Sequence, residues 1–342
     1  MTLPTLMRQE ITEIPDAVAR LLSHSRPDLR LAAASLRAAN PQFLVTIARG
    51  SSDHAASYLK YAAELLVGIP VASVGPSIAS VFSANLSARG GAAIAISQSG
   101  KSPDILALMQ NLANSASPSI ALCNTASAPL MRLVGHPVDI LAGPELSVTA
   151  TKSFVSSIVA GLLLLAEWVQ DAKLLAALEA LPDQLAKAAV LDWPDLRAAL
   201  ANQGPALILG RGPGFALACE AALKLKETCA IHAEAYSSAE VMHGPIEIVT
   251  KNYTTLCLAA RDAAETGVVA TASQLTQVGA KSFVTSTLAT SARRLDQIRT
   301  GHPLTEPLPL IVTFYATLER LSRDLGRNPD RPKALNKVTE TI

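Results

Sequence analysis

The sequence predicts an α/β protein of two similar tandem domains, each a mostly parallel sheet flanked by helices in a flavodoxin-like or Rossmann-like three-layer αβα arrangement. Short apolar, β-rich runs alternate with helical patterns, which is typical of parallel sheets covered on both faces. The 342 residues are 49% hydrophobic and 4% aromatic, a composition that suits aliphatic layers. A strand followed by a glycine turn occurs at residues 46–52 and again at 208–214, an offset of 162 residues that indicates a duplication.

The elements of the first half follow one another in a simple order. Helical patterns occupy most of residues 1–40, with a break at Pro15. Strands are then expected at 42–48, 68–74, 92–96, 119–123 and 138–141, and helices at 53–67, 77–82, 103–113 and 152–172. The second half repeats the pattern, with a strand from Ala206, a helix over 215–230 and a strand at 255–258.

The expected domain boundaries follow from these elements. A helical lead-in covers residues 1–25, and the first domain covers 26–172. A charged helical connector over 173–200 joins it to a second domain over 201–328. The polar tail over 329–342 contains two prolines and is expected to wrap as an extended arm.

Composition argues against several classes of function. The net charge is +1 and the basic residues are scattered, so there is no electrostatic case for binding nucleic acid or an anionic membrane. The longest apolar run, 158–169, is shorter than the roughly 18 residues of a membrane span and is expected to be a buried helix. The four cysteines form no CxxC pair and have apolar neighbours, which is typical of reduced, buried thiols in a cytoplasmic protein.

Residues 223–243 contain the densest group of ionisable side chains in an apolar neighbourhood. On the predicted helix, Glu220, Lys224 and Glu227 share one face because they are four and three residues apart. One interpretation is a solvated, salt-bridged surface. The other is a carboxylate acid or base flanked by an ammonium, which suits proton transfer beside a carbonyl. The spacing alone leaves both interpretations open.

A second polar cluster follows a predicted strand. Residues 97–102, Ser-Gln-Ser-Gly-Lys-Ser, form a loop that opens a helix, where hydroxyls and backbone N–H groups can bind an anion. Ser51 and Ser52 open another helix. Ordinary helix capping by serine is the alternative interpretation. The sequence contains neither a GxxxxGK[ST] nor a GxGxxG motif, which counts against nucleotides.

Four ordered motifs give the chain a resemblance to the sugar isomerase (SIS) domain family. They are Ser-Gln-Ser-Gly at 97–100, Val-Thr-Ala-Thr-Lys-Ser-Phe at 148–154, Ala-Leu-Lys-Leu-Lys-Glu through Val-Met-His-Gly-Pro at 222–245, and Leu-Asn-Lys-Val-Thr at 335–339. The resemblance covers essentially the whole chain and implies two tandem SIS domains. It is nearest to the isomerase half of glucosamine-6-phosphate synthase and to stand-alone SIS-type glucosamine-6-phosphate deaminases.

The resemblance implies that two loops hold a sugar phosphate and that a third loop lines the sugar. The phosphate residues would be Ser51, Ser52, Ser97, Gln98, Ser99 and Ser102. The residues that line the sugar would be Val148 and Thr151. Lys101, Ala150 and Arg49 depart from the pattern usual in the synthase. Because these three positions surround the expected sugar pocket, they bear on the identity of the substrate more than on the chemistry.

The resemblance also implies the catalytic residues. Glu227 matches the base that moves a proton between C1 and C2, and Lys224 matches a cation near the reacting oxygens. His243 matches the acid or base that opens the ring, and Lys337 matches a tail lysine that meets the ketose carbonyl. Aldose–ketose interconversion needs a carboxylate base, an electrophile and an imidazole that titrates near neutral pH, so these residue types fit the chemistry. No metal or other cofactor is required.

The implied activity is glucosamine-6-phosphate deamination to fructose 6-phosphate and ammonia. The synthase makes ammonia in an N-terminal glutaminase domain, and this sequence starts at the isomerase lead-in, so the breakdown direction is expected. A different phosphosugar isomerase, or a fructosamine-6-phosphate deglycase, would use the same residues. A phosphosugar-binding regulatory module is the alternative from another class. Such modules can lack the catalytic acid and base, whereas this sequence has both Glu227 and His243. The resemblance further implies a homodimer in which His243 reaches into the neighbouring subunit's site.

Overall fold

A computed structural model of the chain describes residues 4–113, 115, 117–335 and 337. These residues form two compact units. Unit I contains residues 16–145, 152–179 and 337, and unit II contains residues 4–15, 146–151 and 180–335. The short segment 146–151 therefore belongs to unit II, although the chain on either side of it belongs to unit I. The domain boundaries expected from the sequence remain a prediction, and positions 336 and 338–342 of the expected tail lie outside the described residues.

Strands and helices alternate along the chain. The strands are β1 Leu44–Ile47, β2 Val71–Ser73, β3 Ala92–Ser97, β4 Ser119–Cys123, β5 His136–Asp139, β6 Ala206–Gly210, β7 Ala233–Ser237, β8 Thr254–Cys257, β9 Lys281–Val284 and β10 Arg293–Arg294. The α-helices are α1 Leu6–Thr12, α2 Ile14–His24, α3 Arg26–Ala39, α4 Ser51–Leu66, α5 Ser77–Ser80, α6 Pro103–Ala113, α7 Lys152–Val169, α8 Ala172–Val190, α9 Pro194–Leu200, α10 Pro213–Lys224, α11 Glu265–Gln277 and α12 Pro307–Asp324. A π-helical turn, Leu225–Cys229, continues α10, and 3₁₀ turns lie at Pro129–Arg132, Glu240–His243 and Pro245–Ile248.

The sheet of unit I is parallel throughout, in the order β2-β1-β3-β4-β5. On one face, alternate residues of β1 and β3 pack against α6, whose apolar residues recur at helical spacing from Ile105 to Leu112. Helices α3 and α4 each pack on α7, and α4 and α7 also contact strands of this sheet. Helix α7 has the length and hydropathy of a membrane span, but 89% of it is buried within the protein, as in a core helix. The expected three-layer α/β arrangement is confirmed.

Unit II repeats the topology of unit I. Its sheet is also parallel, with the order β7-β6-β8-β9-β10, which is the same path as in unit I. The glycine turns correspond in detail, since Gly50 has φ 54° and ψ −131° and Gly212 has φ 55° and ψ −132°. Both glycines adopt a positive φ that side chains disfavour. The duplication inferred from the offset of 162 residues is therefore confirmed at the level of fold.

The sheet order identifies where each unit can bind a ligand. In a sheet of this order the chain leaves β1 in one direction and β3 in the other, so a crevice opens beyond the carboxyl ends of these neighbouring strands. Strands β1 and β3 are paired from Leu44 with Ala92 to Ile47 with Ala95. The loops at 48–50 and 98–102 therefore leave the sheet side by side.

Some expected elements differ from those observed. The helix expected over 215–230 ends as an α-helix at Lys224 and continues as the π-helical turn, because the backbone of Leu225–Cys229 widens by one residue. The last strand of unit I lies at His136–Asp139, two residues before its expected start at 138. The tail expected to be extended contains turns at 329–330 and 333–334 in its described part.

Candidate functional site

The serine loop, residues 97–102, is a tight turn at the end of β3. Ser97 is buried, and its Oγ accepts a hydrogen bond from the backbone N–H of Gly100 at 3.0 Å. The Ser99 Oγ accepts one from the N–H of Lys101 at 3.3 Å. Gly100 has φ +61°, and a Cβ there would lie 2.6 Å from the Ala128 Cβ. Only glycine fits this position, so the turn that presents the serines is fixed by packing as well as by its hydrogen bonds.

Two helices begin at the crevice between β1 and β3. Helix α6 starts at Pro103, directly after the serine loop, and the carbonyl of Ser102 accepts the N–H of Leu106 at 3.1 Å. Helix α4 starts at Ser51, and Ser51 and Ser52 form its first turn, both half-buried. The N–H groups of a first helical turn have no partner within the helix and carry a partial positive charge. Two such ends with serine hydroxyls suit an oxyanion such as phosphate.

An ion pair joins these two loops. The Arg49 Nε, from the turn after β1, lies 2.7 Å from the Asp104 Oδ2, in the first turn of α6. The Asp104 side chain is 1% exposed and the Arg49 side chain is 48% exposed. The sequence pattern had marked Arg49 only as a departure from the family. The structure gives it a partner, and the pair holds the starts of α4 and α6 together.

Lys224 in unit II lies between two carboxylates. Its Nζ is 2.7 Å from the Glu227 Oε2 and 3.3 Å from the Glu220 Oε1. The side chains of Lys224 and Glu220 are 1% and 0% exposed, whereas that of Glu227 is 20% exposed. The interpretation of this helix face as a solvated surface is therefore wrong, because α12 covers it. The α12 residue Tyr315 is buried and donates its hydroxyl to the Glu220 Oε1 at 3.1 Å.

The charge state of Lys224 follows from these neighbours. Burial alone lowers the pKa of the ammonium, because it penalises the charged form. The carboxylates of Glu220 and Glu227 outweigh this effect, and the pKa of Lys224 is raised above its ordinary value. The lysine is therefore a charged partner of both carboxylates in this group. A partly exposed carboxylate held by a buried ammonium is the form in which a base can accept a proton from a ligand.

The π-helical turn places Glu227 at the edge of this buried group. The turn is stabilised by a hydrogen bond of 2.8 Å from the Thr228 Oγ1 to the Lys224 carbonyl, and it ends at Ala230 with φ +50°. Turns of this kind interrupt α-helices frequently at functional sites. Glu227 and Thr228 line a cavity of about 840 Å³ within unit II. Glu227 therefore contacts the buried Lys224 on one side and forms part of the cavity wall on the other.

The loop 146–151, expected to line the sugar, is held by a carboxylate and a backbone carbonyl from distant parts of the chain. The Glu10 carboxylate accepts the N–H groups of Leu146 and, at 3.1 Å, of Ser147. The N–H of Val148 donates to the carbonyl of Asp330 at 3.1 Å. Thr151 is fully buried. Sequence reasoning missed Glu10 and Asp330, and no local spacing could have revealed them.

The carboxylate of Asp330 also binds the start of helix α1. It accepts the N–H of Leu6 at 2.9 Å and that of Met7 at 2.8 Å. These groups belong to the first turn of α1, where an acidic partner is favoured. The segment around Asp330 is thereby fixed within unit II.

Lys337 lies beside a buried glutamate in unit I. Its Nζ is 3.3 Å from the Glu145 Oε2, and the side chains are 26% and 0% exposed. Glu145 also accepts the Oγ of Ser153 at 2.6 Å and its N–H at 3.0 Å. The carboxylate is therefore satisfied on several sides, and it gives the tail lysine a defined position. Glu145 is a further residue that the sequence patterns did not single out.

His243 ends the 3₁₀ turn Glu240–His243, and its side chain is exposed. Within the described part of unit II, no hydrogen bond or ion pair joins it to Glu227 or Lys224. The chain that follows is Gly244, with φ 150°, and Pro245. The structure therefore presents this imidazole on the surface, apart from the buried charged group.

The predicted site residues divide between the two units. Unit I holds Ser51, Ser52, Ser97, Gln98, Ser99, Ser102 and Lys337, and unit II holds Val148, Thr151, Lys224, Glu227 and His243. Unit I brings the hydroxyls to two helix starts, and unit II brings Lys224 and Glu227 together. The functions assigned to these residues by the resemblance remain predictions.

The thiols are uncharged at neutral pH where they are buried. Burial raises the pKa of Cys123 and of Cys229 to about 11 and that of Cys257 to about 12. Cys219 is only half-buried, so the expectation that all four cysteines are buried is wrong for this residue. Among the residues that the structure describes, no group of three or more His, Cys, Asp and Glu side chains has the arrangement of a metal site.

Comparison with known proteins agrees with the fold and with the motifs. The SIS domain profile matches residues 39–167. A crystal structure from Silicibacter pomeroyi DSS-3, provisionally assigned as a phosphosugar isomerase, is 52% identical with a TM-score of 0.92, and the match covers 95% of this chain and 100% of that one. The C-terminal domain of glucosamine-fructose-6-phosphate aminotransferase from Francisella tularensis has a TM-score of 0.83 at 24% identity over 96% of this chain and 99% of that one, which is a likeness of fold.

Curated relatives agree as well. The isomerizing glutamine–fructose-6-phosphate aminotransferase of Symbiobacterium thermophilum is 31% identical, and the match covers 98% of this chain and 57% of that protein. The chain thus spans about half the length of the curated relatives it matches. The motifs, the duplicated parallel sheets and the match along the full length of the Silicibacter protein lead to one assignment: the chain belongs to the SIS domain family of phosphosugar isomerases.

Proposed function

We propose that the chain is a glucosamine-6-phosphate deaminase, which converts glucosamine 6-phosphate and water into fructose 6-phosphate and ammonia. The observation that carries the proposal is the group formed by Glu220, Lys224 and Glu227. It supplies a partly exposed carboxylate that is hydrogen-bonded to a buried ammonium and that lines a cavity large enough for a small ligand. Membership of the phosphosugar isomerase family supports this use of the carboxylate.

In the proposed reaction, opening of the sugar ring exposes an aldehyde at C1 beside the amine-bearing C2. Glu227 removes the proton from C2, the electrons shift to the C1 oxygen, and that oxygen takes a proton from water to form a C1–C2 enolamine. The protonated Glu227 returns the proton to C1 while the nitrogen gives up a proton to water, which leaves an imine at C2. Water then adds to the imine carbon, and ammonia leaves to give the ketone of fructose 6-phosphate. The charged Lys224 positions the carboxylate of Glu227 and stabilises negative charge near the reacting oxygens.

The other predicted residues take roles around this transfer. The serine loop and the first turn of α4 bind the phosphate through hydroxyl and N–H groups, which need no lysine or arginine. Lys337 meets the carbonyl oxygen, and His243 acts on the ring oxygen from the neighbouring subunit of a homodimer. The exposed position of His243, away from Glu227 of its own chain, supports an action on a second chain.

The cysteines agree with the reducing cytoplasm that we expect for the protein. Cys123, Cys229 and Cys257 are buried, and burial raises the pKa of each thiol. The four cysteines, all within the described part of the chain, form no disulfide bond, as is usual in a reducing compartment.

The test is turnover of a panel of phosphosugars by the purified chain. Glucosamine 6-phosphate should yield ammonia and fructose 6-phosphate in equal amounts without added metal or nucleotide, and a Glu227→Gln preparation is the control for contaminating enzymes. Turnover of a ketose phosphate, or release of an amino acid from a glycated amino acid 6-phosphate, without turnover of any hexosamine phosphate would replace the deaminase by one of the other family reactions. Phosphosugar binding without turnover of any member would favour a regulatory module.

A further inference from the structure

The loop 146–151 is part of a closed network of hydrogen bonds within unit II. Glu10 on α1 accepts two N–H groups of the loop, and the backbone carbonyl of Asp330 accepts a third. The carboxylate of Asp330 accepts two more, from the first turn of α1. The five donors are the N–H groups of Leu146, Ser147, Val148, Leu6 and Met7. In this anchoring network of α1, the loop and Asp330, each member is bonded to the other two, so the loss of one link loosens the whole.

Helix α1 gives the anchoring network a firm base. Its residues Met7 and Ile11 are fully buried, and the helix packs on α12. Thr5, which caps α1, donates its hydroxyl to the Glu319 Oε1 on α12 at 2.8 Å. Glu10 is 4% exposed, so its hydrogen bonds to the loop are shielded from water. The loop therefore takes its position from α12 through α1.

The same face of α12 positions the charged group around Lys224. Three buried residues, spaced by four and three positions, form this face: Tyr315, Glu319 and Ser322. Tyr315 donates to Glu220, and the Ser322 Oγ donates to the carbonyl of Thr228 in the π-helical turn at 3.0 Å. One face of α12 thus fixes the turn that carries Glu227 and, through Glu319, the start of α1. The loop 146–151 and Glu227 are therefore set at a defined spacing within unit II.

We propose that Glu10 and Asp330 are positioning residues, which hold the loop 146–151 and the start of the tail in register with Glu227. The inference rests on the proposed function, in which the loop lines the sugar and Lys337 meets the ketose carbonyl. The tail leaves the anchoring network at Asp330, seven residues before Lys337. Release of Asp330 from α1 therefore displaces both the loop and the origin of the tail. The two carboxylates act through the backbone that they fix and not by touching the substrate.

The test breaks each link in the full chain and measures turnover of glucosamine 6-phosphate. Glu10→Met and Asp330→Ala should each lower kcat/KM roughly tenfold, because a displacement of about 1 Å costs up to about 10²-fold. KM should rise because the loop moves, and kcat should fall because Lys337 is displaced. The double variant should lose hardly more than either single variant, since the first break already opens the network, whereas independent losses multiply to about 100-fold. Glu10→Gln and Asp330→Asn, which weaken the links, take their place if either chain does not fold.

Matched controls remove two carboxylates of the same kind outside the anchoring network. Glu306 is 2% exposed and Asp171 precedes α8, and each accepts two backbone N–H groups at 2.9 to 3.1 Å. Their donors are the N–H groups of Thr300 and Gly301 and those of Lys173 and Leu174. Glu306→Met and Asp171→Ala should lower the midpoint of thermal unfolding by a few degrees, as the variants of the network do, but leave kcat/KM within about twofold.

Hydrogen exchange separates this inference from the proposed function, because it needs no turnover. In Asp330→Ala the amides of Leu146 and Ser147 should exchange roughly tenfold faster than in the wild-type chain, although the Asp330 carboxylate binds the N–H groups of α1. Unchanged exchange at these amides, multiplied losses in the double variant, or equal losses of kcat/KM in the controls would overturn the positioning role. A wild-type chain that turns over another phosphosugar but not glucosamine 6-phosphate contradicts only the proposed function, and the variants are then compared on that phosphosugar.

Discussion

The two units share a sheet and a glycine turn, but their candidate chemistry lies at opposite ends of the equivalent helix. In unit I the turn leads into Ser51 and Ser52 at the start of α4, whereas in unit II it leads into Pro213 and Gly214 at the start of α10. The charged group of unit II lies instead at the end of α10, around Lys224. One duplicated fold thus offers a helix start for an anion in one copy and a helix end for proton transfer in the other.

The residues at equivalent positions of the two units show the same difference. At the offset of 162 residues, Glu227 corresponds to Leu65 and Lys224 corresponds to Ala62. Conversely, Ser97 and Ser99 correspond to Ala259 and Arg261. Neither unit therefore carries both sets of groups.

The largest expected effect comes from removing the carboxylate of unit II. Glu227→Gln should lower kcat by at least about 10³-fold, because general base catalysis contributes about 10² to 10⁴ and the amide cannot accept the proton. Binding of glucosamine 6-phosphate, measured by calorimetry, should change little, since the proposal assigns phosphate binding to the serine loop and the first turn of α4. The control is Leu65→Gln at the corresponding, exposed position, which should keep full activity. A Glu227→Gln enzyme with most of its kcat would show that the charged group is structural.

The second effect concerns the tail lysine. Truncation after Arg331 removes Lys337 but keeps Asp330, whose carboxylate binds the N–H groups of Leu6 and Met7. The truncated chain should therefore keep its midpoint of thermal unfolding within a few degrees and lose activity by about 10²-fold or more. Lys337→Met should reproduce the loss of activity. Full activity of both variants would remove the tail from the mechanism.

The third effect is on stability. Lys224→Met leaves Glu220 and Glu227 without their shared cation, which should lower the free energy of unfolding by about 3 kcal/mol or more, as for other broken buried ion pairs. Lys226→Met, on the exposed neighbouring side chain, should change it by less than about 0.5 kcal/mol. Denaturant unfolding measures both. A double variant, Lys224→Met/Glu220→Gln, should recover part of the loss, and equal stabilities of the two single variants would contradict the argument.

The pH dependence of that difference follows from the raised pKa of Lys224. A group whose pKa is higher in the folded than in the unfolded chain contributes its full stabilisation below the unfolded pKa and loses it as the pH rises through the folded pKa. The stability difference between the wild-type chain and Lys224→Met should therefore be constant from neutral pH to about pH 10, near the unfolded pKa of a lysine, and shrink above it.

The fourth effect tests the helix starts of unit I. Ser99→Ala removes one hydroxyl from the proposed phosphate site and should raise KM for glucosamine 6-phosphate roughly tenfold with little change in kcat, as expected for one hydrogen bond to a charged group. Ser87→Ala is the control, since Ser87 is exposed and its loop binds α6 at Asn111, near the end of that helix and not at its start. A fall in kcat at unchanged KM would mean that the serine loop acts on the transition state and not on binding.

Local patterns predicted the duplicated sheets and the charged group, whereas long-range contacts were beyond them. Strands, glycine turns and the grouping of Lys224 with Glu227 all follow from spacing over a few residues. The burial of that group depends on Tyr315, which is separated by 95 residues from Glu220, and the site of Lys337 depends on Glu145, 192 residues away. The π-helical turn was also missed, because the apolar spacing of the sequence indicates a helix but does not show where a π-helical turn replaces α-helix.

The smallest expected effect concerns His243, which lies on the surface, and Glu227, which belongs to the buried charged group. Because His243 is exposed and has no described contact with Glu227, we expect it to serve a second chain of a homodimer. Suppose that Glu227→Gln and His243→Ala chains, each inactive alone, are co-expressed in equal amounts. About half of the dimers are then mixed, and each mixed dimer has one doubly damaged site and one intact site, because both lesions fall on the same pocket.

The mixture should recover about a quarter of wild-type activity, since half of the sites in half of the dimers are intact. Affinity tags of two kinds, one on each chain, allow the mixed dimers to be isolated, and in that fraction activity should rise to about half of wild type. If His243 and Glu227 act within one chain, every pocket carries a lesion, and isolated mixed dimers stay at background. A chain that remains monomeric at assay concentrations yet turns over substrate would also reject the shared site, because its single Glu227 would then work with its own His243 or with none.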